Sequence, residues 1–159
     1  PVVSLVDTPG MMVGPEVEAT ALVRHCSRLF VTGANLSVPM ISVVLRKSYG
    51  PGAQAMAGGS HKAPVFTVSW PTGEFAPMGI EGQVKLGFRA ELAAIADPAA
   101  RLKFFEDKVA KAYDGGKALN RSTNFMIDDV IDPSETRGVI SRLLATASAR
   151  PSGRHIDTW

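Results

Sequence analysis

Met40-Ile41-Ser42-Val43-Val44-Leu45-Arg46-Lys47-Ser48-Tyr49-Gly50-Pro51-Gly52-Ala53-Gln54-Ala55-Met56-Ala57-Gly58-Gly59 decides how the rest of the chain is read. Its first half is apolar and rich in β-branched residues, the signature of a buried strand over 40–46. Two cations and a Gly-Pro-Gly bend follow, and then small residues compatible with a short helix. Glycines let the backbone turn sharply and leave amide N–H groups uncovered. A helix that starts at such a bend adds unpaired N–H donors and a partial positive charge. The predicted unit is therefore strand, bend, helix, with an oxyanion pocket made of main chain. The plainer reading is a turn and nothing more.

Upstream, Val2 to Val6 reads as a strand running into the turn Asp7-Thr8-Pro9-Gly10. Gly14-Pro15-Glu16-Val17-Glu18 starts a helix, with proline and acids where a first turn favours them. Leu22, Cys26, Leu29, Phe30 and Gly33 form its predicted buried stripe, and the helix should end near Asn35. Downstream, Pro64 to Trp70 is a third strand and 72–76 a short extended piece. A helix over 78–86 is entered through a glycine turn. Asp97-Pro98 caps a helix with stripe Leu102, Phe105, Val109, Ala112 and Tyr113, ended by Gly115-Gly116. Asn120 to Asp129 has no clear pattern. Asp132-Pro133-Ser134-Glu135 caps a last helix with Val139, Ile140, Leu143, Leu144 and Ala147 facing the core. Alternating strands and helices predict an α/β fold with parallel pairing. The domain is expected over 1–148, with a frayed tail over 149–159.

Bulk properties narrow the function classes. The chain has 159 residues, 45% apolar and 20% charged, enough for one cored domain. A net charge of +2 gives no argument for nucleic acid. No apolar run reaches membrane-span length, so no membrane partner is expected. A single cysteine, Cys26, allows no internal disulfide and fits a reducing, cytoplasmic setting. The opening residues already read as core strand, so the chain is expected to be part of a longer protein.

Other motifs carry less. Asp7-Thr8-Pro9-Gly10 invites a nucleotide-switch reading, but no phosphate loop and no Asn-Lys-x-Asp accompany it. His25 and Cys26 are neighbours on a helix and point apart, and no metal-ligand spacing occurs. Ser60-His61-Lys62 after Gly58-Gly59 could bind an anion or be a solvated loop. Glu74 and Glu81 could cap a helix, pair with Arg46 or Lys47, or line a cleft. Trp70 at a strand end reads as core.

Five collinear segments fit one pattern. They are Val6-Asp7-Thr8-Pro9-Gly10, Gly14-Pro15-Glu16-Val17-Glu18, Arg46-Lys47-Ser48-Tyr49-Gly50, Ser69-Trp70-Pro71-Thr72-Gly73-Glu74 and Met78-Gly79-Ile80-Glu81-Gly82. Together with Asp128-Asp129-Val130-Ile131-Asp132-Pro133, they resemble the carboxyltransferase (β) subunits of biotin-dependent acyl-CoA carboxylases, such as propionyl-CoA and acetyl-CoA carboxylase. The resemblance implies a crotonase-like spiral of ββα units with added C-terminal helices. It implies a unit present twice in the full subunit, of which this chain is the second, biotin-side copy. The implied reaction moves a carboxyl group from carboxybiotin to the α-carbon of an acyl-CoA. Biotin would arrive on a separate carrier, and its ring nitrogen would serve as the base. The implied partners are an N-terminal half on the acyl-CoA side, the biotin carboxyl carrier and biotin carboxylase subunit, and further copies in a homo-oligomer. A related hydratase or decarboxylase acting on acyl-CoA, with Glu74 or Glu81 as its acid or base, and a non-catalytic assembly module are the alternatives.

By the same resemblance Gly52 and Ala53 would supply the catalytic amides. Tyr49, Gly50, Pro51 and Gln54 would line the biotin or substrate site. One departure stands out. The family pattern has a second glycine where this chain has Pro51, and proline has no N–H to donate. Gln54 falls where the family varies its residue with acyl-chain preference.

Overall fold

The computed structural model describes residues 1–148, so the predicted tail 149–159 lies outside the described residues. A parallel sheet organises it. Strand β2 (Met40–Tyr49) lies between β1 (Val2–Thr8) on one edge and both β3 (Phe66–Ser69) and β4 (Glu74–Ala76) on the other. Ser48 proves the arrangement: it pairs with Thr8 on one side and Phe75 on the other. A two-residue strand, β5 (Asp129–Val130), extends the sheet beyond β3. Parallel neighbours need crossovers, and helices supply them.

The alternation along β2 builds two cores. Ile41 and Val43 face one side and pack with Val68 and Ile131 under α8 (Thr136–Thr146). The expected stripe Val139, Ile140, Leu143 and Leu144 is the part of α8 that covers them. Trp70 belongs to the same cluster, with its indole N–H donated to Thr136 Oγ1 at 3.0 Å. Val44 faces the other side with Val6, Ala53, Phe75, Ala118 and Ile127. On that side, sheet neighbours Ser4, Ser42 and Thr67 form a polar row. Ser4 donates to the Met56 carbonyl at 2.6 Å and Thr67 to the His61 carbonyl at 2.7 Å. These bonds hold the segment after α3 (Gly50–Met56) down on the sheet.

Strand β2 runs three residues past its expected end. Between Val6 and Thr8 the pairing with β1 slips, so that 45–47 oppose Asp7 alone. The Asp7 carboxylate satisfies the bulge, accepting from the Lys47 N–H at 3.1 Å and pairing with Arg46 at 3.1 Å. Past the bulge, β4 takes over as partner and carries the strand to Tyr49.

The first predicted helix is two. α1 (Pro15–Glu18) stops, Ala21 adopts a left-handed φ of 57°, and α2 (Leu22–Ala34) starts anew. Within α2, Leu29 is 53% exposed and so lies off the buried stripe. The contact that does count is glycine on glycine: a Cβ on Gly33 would sit 2.6 Å from Gly58 Cα. Two short helices, α4 (Ile80–Gly87) and α5 (Arg89–Ala94), lead to α6 (Pro98–Gly116). Asp97 caps α6 by accepting from the amides of Ala99 and Ala100, as its sequence predicted. Leu102 is 57% exposed, a correction to the predicted stripe of α6. The unpatterned stretch contains α7 (Ala118–Ser122) and a turn with Phe125 at φ 55°. No helix among the described residues is long and apolar enough to cross a membrane.

Candidate active site

Three loops meet at the carboxyl end of the sheet, where open α/β sheets take their ligands. They are the turn after β1, the β2–α3 bend and the segment after β4. Glycines make their approach possible. Gly50 has a φ of 58°, and a Cβ there would lie 2.7 Å from the Pro77 carbonyl oxygen. A Cβ on Gly52 would lie 3.1 Å from Gly10 C and 3.2 Å from Met11 N. Both positions therefore need glycine for close packing, quite apart from any ligand.

Tyr49 is the N-cap of α3. In an α-helix each N–H points to the carbonyl four residues back. The Ala53 N–H is thus directed at the Tyr49 carbonyl, and the Ala53 methyl is fully buried in the core. Pro51 has no N–H, and the parallel pairing of Tyr49 with Ala76 directs the Gly50 N–H at the Ala76 carbonyl, which leaves Gly52 as the amide of the first turn with no partner inside the helix.

A cleft of ≈ 190 Å³ opens beside the bend, lined by Ser48, Gly50, Gln54, His61, Phe75 to Pro77, Arg121 and Met126. Of the six residues expected from sequence, Gly50 and Gln54 line it. Tyr49 does not: it is 2% exposed, and its hydroxyl donates to Glu74 Oε2 at 2.9 Å. Burial, then the Glu74 bond, pushes its pKa up. Pro51 is exposed at the start of the helix.

Glu74 and Glu81 are both engaged by tyrosines. Tyr113 donates to Glu81 Oε1 at 2.9 Å, and a backbone hydrogen bond, followed by this one, lowers the pKa of Glu81. Neither glutamate lines the cleft. No cluster of metal-binding side chains occurs among the described residues.

Of the side chains that do converge, the sequence offers His61 as an anion binder or part of a solvated loop, and does not mark Arg121. His61 is 7% exposed, stands edge-on to Phe75 with ring centroids 5.5 Å apart, and has Nε2 3.4 Å from Ser48 Oγ. Burial lowers its pKa and favours the neutral ring. Arg121, on α7, reaches the same cleft from sixty residues away in sequence. His61 Nδ1 and Arg121 Nε are both buried without a hydrogen-bond partner. The Gly58-Gly59-Ser60-His61 loop gave a signal for His61, whereas nothing local marked Arg121.

The family described as Carboxyl transferase domain matches residues 1–156. The chain belongs to this family. Among relatives of this carboxyltransferase domain, the propionyl-CoA carboxylase carboxyltransferase subunit of Haloferax mediterranei is 35% identical over 149 residues, 91% of this chain and 27% of that protein. The methylmalonyl-CoA carboxyltransferase 12S subunit of Propionibacterium freudenreichii subsp. shermanii is 33% identical, over 98% of this chain and 30% of that protein. Among solved structures, a single-chain, multi-domain long-chain acyl-CoA carboxylase matches with a TM-score of 0.76 and 55% identity, covering 90% of this chain and 14% of that one. The hexameric transcarboxylase 12S core, with methylmalonyl-CoA and methylmalonic acid bound, matches with a TM-score of 0.82 at 31% identity, over 98% of this chain and 30% of that one. The chain thus spans under a third of the length of these relatives. Its α/β parallel-sheet architecture is the crotonase-like one expected from sequence, as in the solved carboxyltransferases.

Proposed function

We propose that this carboxyltransferase domain forms the biotin-facing side of an acyl-CoA carboxyltransferase site. A partner half of the same protein supplies the acyl-CoA side. The observation that carries the reading is the glycine bend at the end of β2, with a cleft beside it, in a chain of this family. Gly52 gives the first turn of α3 uncovered backbone and an amide with no partner inside the helix, which suits the ureido oxygen of biotin. Gln54 stands at the cleft wall, where it can touch the ligand. Biotin, when bound on its carrier, supplies the carboxyl group. The chain's own part is to hold the ring, to stabilise negative oxygen through backbone dipoles and to keep water out with Phe75, Pro77 and Met126. The carrier and biotin carboxylase subunit, an acyl-CoA half and further copies in an oligomer are the partners of this reading. A reducing, cytoplasmic setting suits the lone Cys26.

The test is complementation. The 159-residue chain, given a carboxylated biotin carrier and propionyl-CoA or acetyl-CoA, should form little methylmalonyl-CoA or malonyl-CoA by itself. Adding the separately produced acyl-CoA half should restore product. Robust product from the chain alone would show that the site is not divided in this way.

A further inference from the structure

The backbone bend leaves part of the cleft unexplained. Two nitrogen atoms on different lining residues are buried without a hydrogen-bond partner: Arg121 Nε and His61 Nδ1. An unpaired buried donor costs about as much as a lost hydrogen bond, and more when charged. Both residues line the same cleft of ≈ 190 Å³. Arg121 forms no ion pair among the described residues, although three other cations do. The imidazole is fixed rather than loose. The His61 backbone carbonyl accepts from Thr67 Oγ1, the ring rests edge-on to Phe75, and the next residue, Lys62, is tied to Asp128 at 2.9 Å. When the Ser48 hydroxyl donates to Nε2, the ring proton sits on Nδ1, and Nδ1 becomes a second donor with nowhere to bond.

We propose that Arg121, His61 and Ser48 form a carboxylate subsite in the cleft. The planar guanidinium takes one carboxylate edge in a fork, and His61 Nδ1–H reaches the remaining lone pair. A neutral imidazole and one guanidinium balance a single negative charge. That fits a monoanionic carboxyl group and leaves the second charge of a phosphate uncompensated. Phe75, Ala76, Pro77 and Met126 form the apolar wall against which the carbon attached to the carboxyl rests. This chemistry has two sources in carboxyl transfer: the carboxyl carried on the biotin ring, or the free carboxylate of the dicarboxylic thioester product. Placing the subsite in that reaction rests on the proposed function, but capture of a carboxylate by the cleft does not.

The ¹⁵N-labelled chain is titrated with propionate, a monoanionic carboxylate, following the His61 imidazole and Arg121 Nε–H signals by NMR. Both should shift saturably. The dissociation constant should rise at least about tenfold in Arg121→Gln, the loss of one charge-assisted bond, and less in Arg121→Lys. Melting curves and amide spectra confirm that the variants fold, and His61→Gln gives a second route to the same loss. A shift that does not saturate, or a constant unchanged in folded Arg121→Gln and His61→Gln, overturns the proposal. In the complete protein, Arg121→Gln then separates the sources. A raised KM for the carboxylated carrier assigns the biotin-borne carboxyl, and a raised KM for methylmalonyl-CoA in the reverse direction assigns the product carboxylate. Propionate binding that depends on Arg121, with neither KM moved, supports the subsite and counts against the carboxyl-transfer reading instead.

Discussion

Pro51→Gly is the most informative single change in this chain. Pro51 occupies the second position of α3, is exposed, and takes from the bend the one amide that its neighbours on both sides possess. Replacing it should have opposite effects on stability and rate. The folded chain loses no contact of note, but the unfolded chain gains freedom, at a cost of about 0.4–1 kcal/mol. For a domain of this size that lowers the melting temperature by roughly 1–4 °C. The bend, in turn, gains an N–H between those of Gly50 and Gly52. A donor in an oxyanion pocket is worth about 10²–10³ in rate, so carboxyl transfer in the complete protein should rise by up to that factor. The assay is initial rate of methylmalonyl-CoA formation with saturating carboxylated carrier, alongside thermal melts of wild type and variant. A melting point lowered as expected with an unchanged or reduced rate would refute the reasoning: the amide at position 51 would then not face the developing charge.

Two further changes test the architecture. Gly33→Ala places a Cβ within 2.6–2.8 Å of the Gly58 backbone, so α2 must lift from the loop that follows α3. Overpacking of this kind costs about 1–3 kcal/mol, offset by up to about 1 kcal/mol of helix propensity; urea unfolding should show net destabilisation, and a more stable variant would mean that α2 does not touch the Gly58 loop there. Asp7 has its pKa lowered first by the Arg46 hydrogen bond and then by the Lys47 amide. Its contribution is present above the unfolded value of about 4 and is lost as pH falls through the folded value. Asp7→Asn should therefore be less stable than wild type at pH 7, by under about 1 kcal/mol for so exposed a pair, and the two should converge in acid. A difference that stays constant down to about pH 2 would remove the ion pair from the account.

What the sequence made legible was local. The β-branched run before Gly50, the prolines and acids that open helices, and the capping residues Asp97 and Asp132 each act through neighbours within four positions. What it concealed depended on distant partners. The end of β2 moved from residue 46 to Tyr49 because β4, some 27 residues on, was there to pair with it. The break at Ala21 uses a left-handed alanine, which no residue preference announces. Leu29 and Leu102 keep helical spacing, yet periodicity cannot say how wide the covering surface is. The cleft was half visible for the same reason. Its backbone side comes from one stretch, 48–54, and its side-chain donors come from a loop and a helix sixty residues apart.

The electrostatics of the cleft favour transfer with the base brought by the ligand. A side-chain general base needs a titratable group within reach of the reacting atom and a pKa near working pH. Glu74 and Glu81 accept tyrosine hydroxyls and stand outside the cleft. His61 is inside it, but burial holds the ring neutral and its Nε2 already faces Ser48. Arg121 adds positive charge, which opposes proton abstraction by a neighbouring imidazole because the imidazolium formed would be repelled. These groups are instead matched to an anion: two donors, one net charge and glycine amides nearby. Within this chain, a hydratase that used Glu74 or Glu81 as its acid or base would need one of them free beside the cleft, and both are engaged by tyrosines outside it.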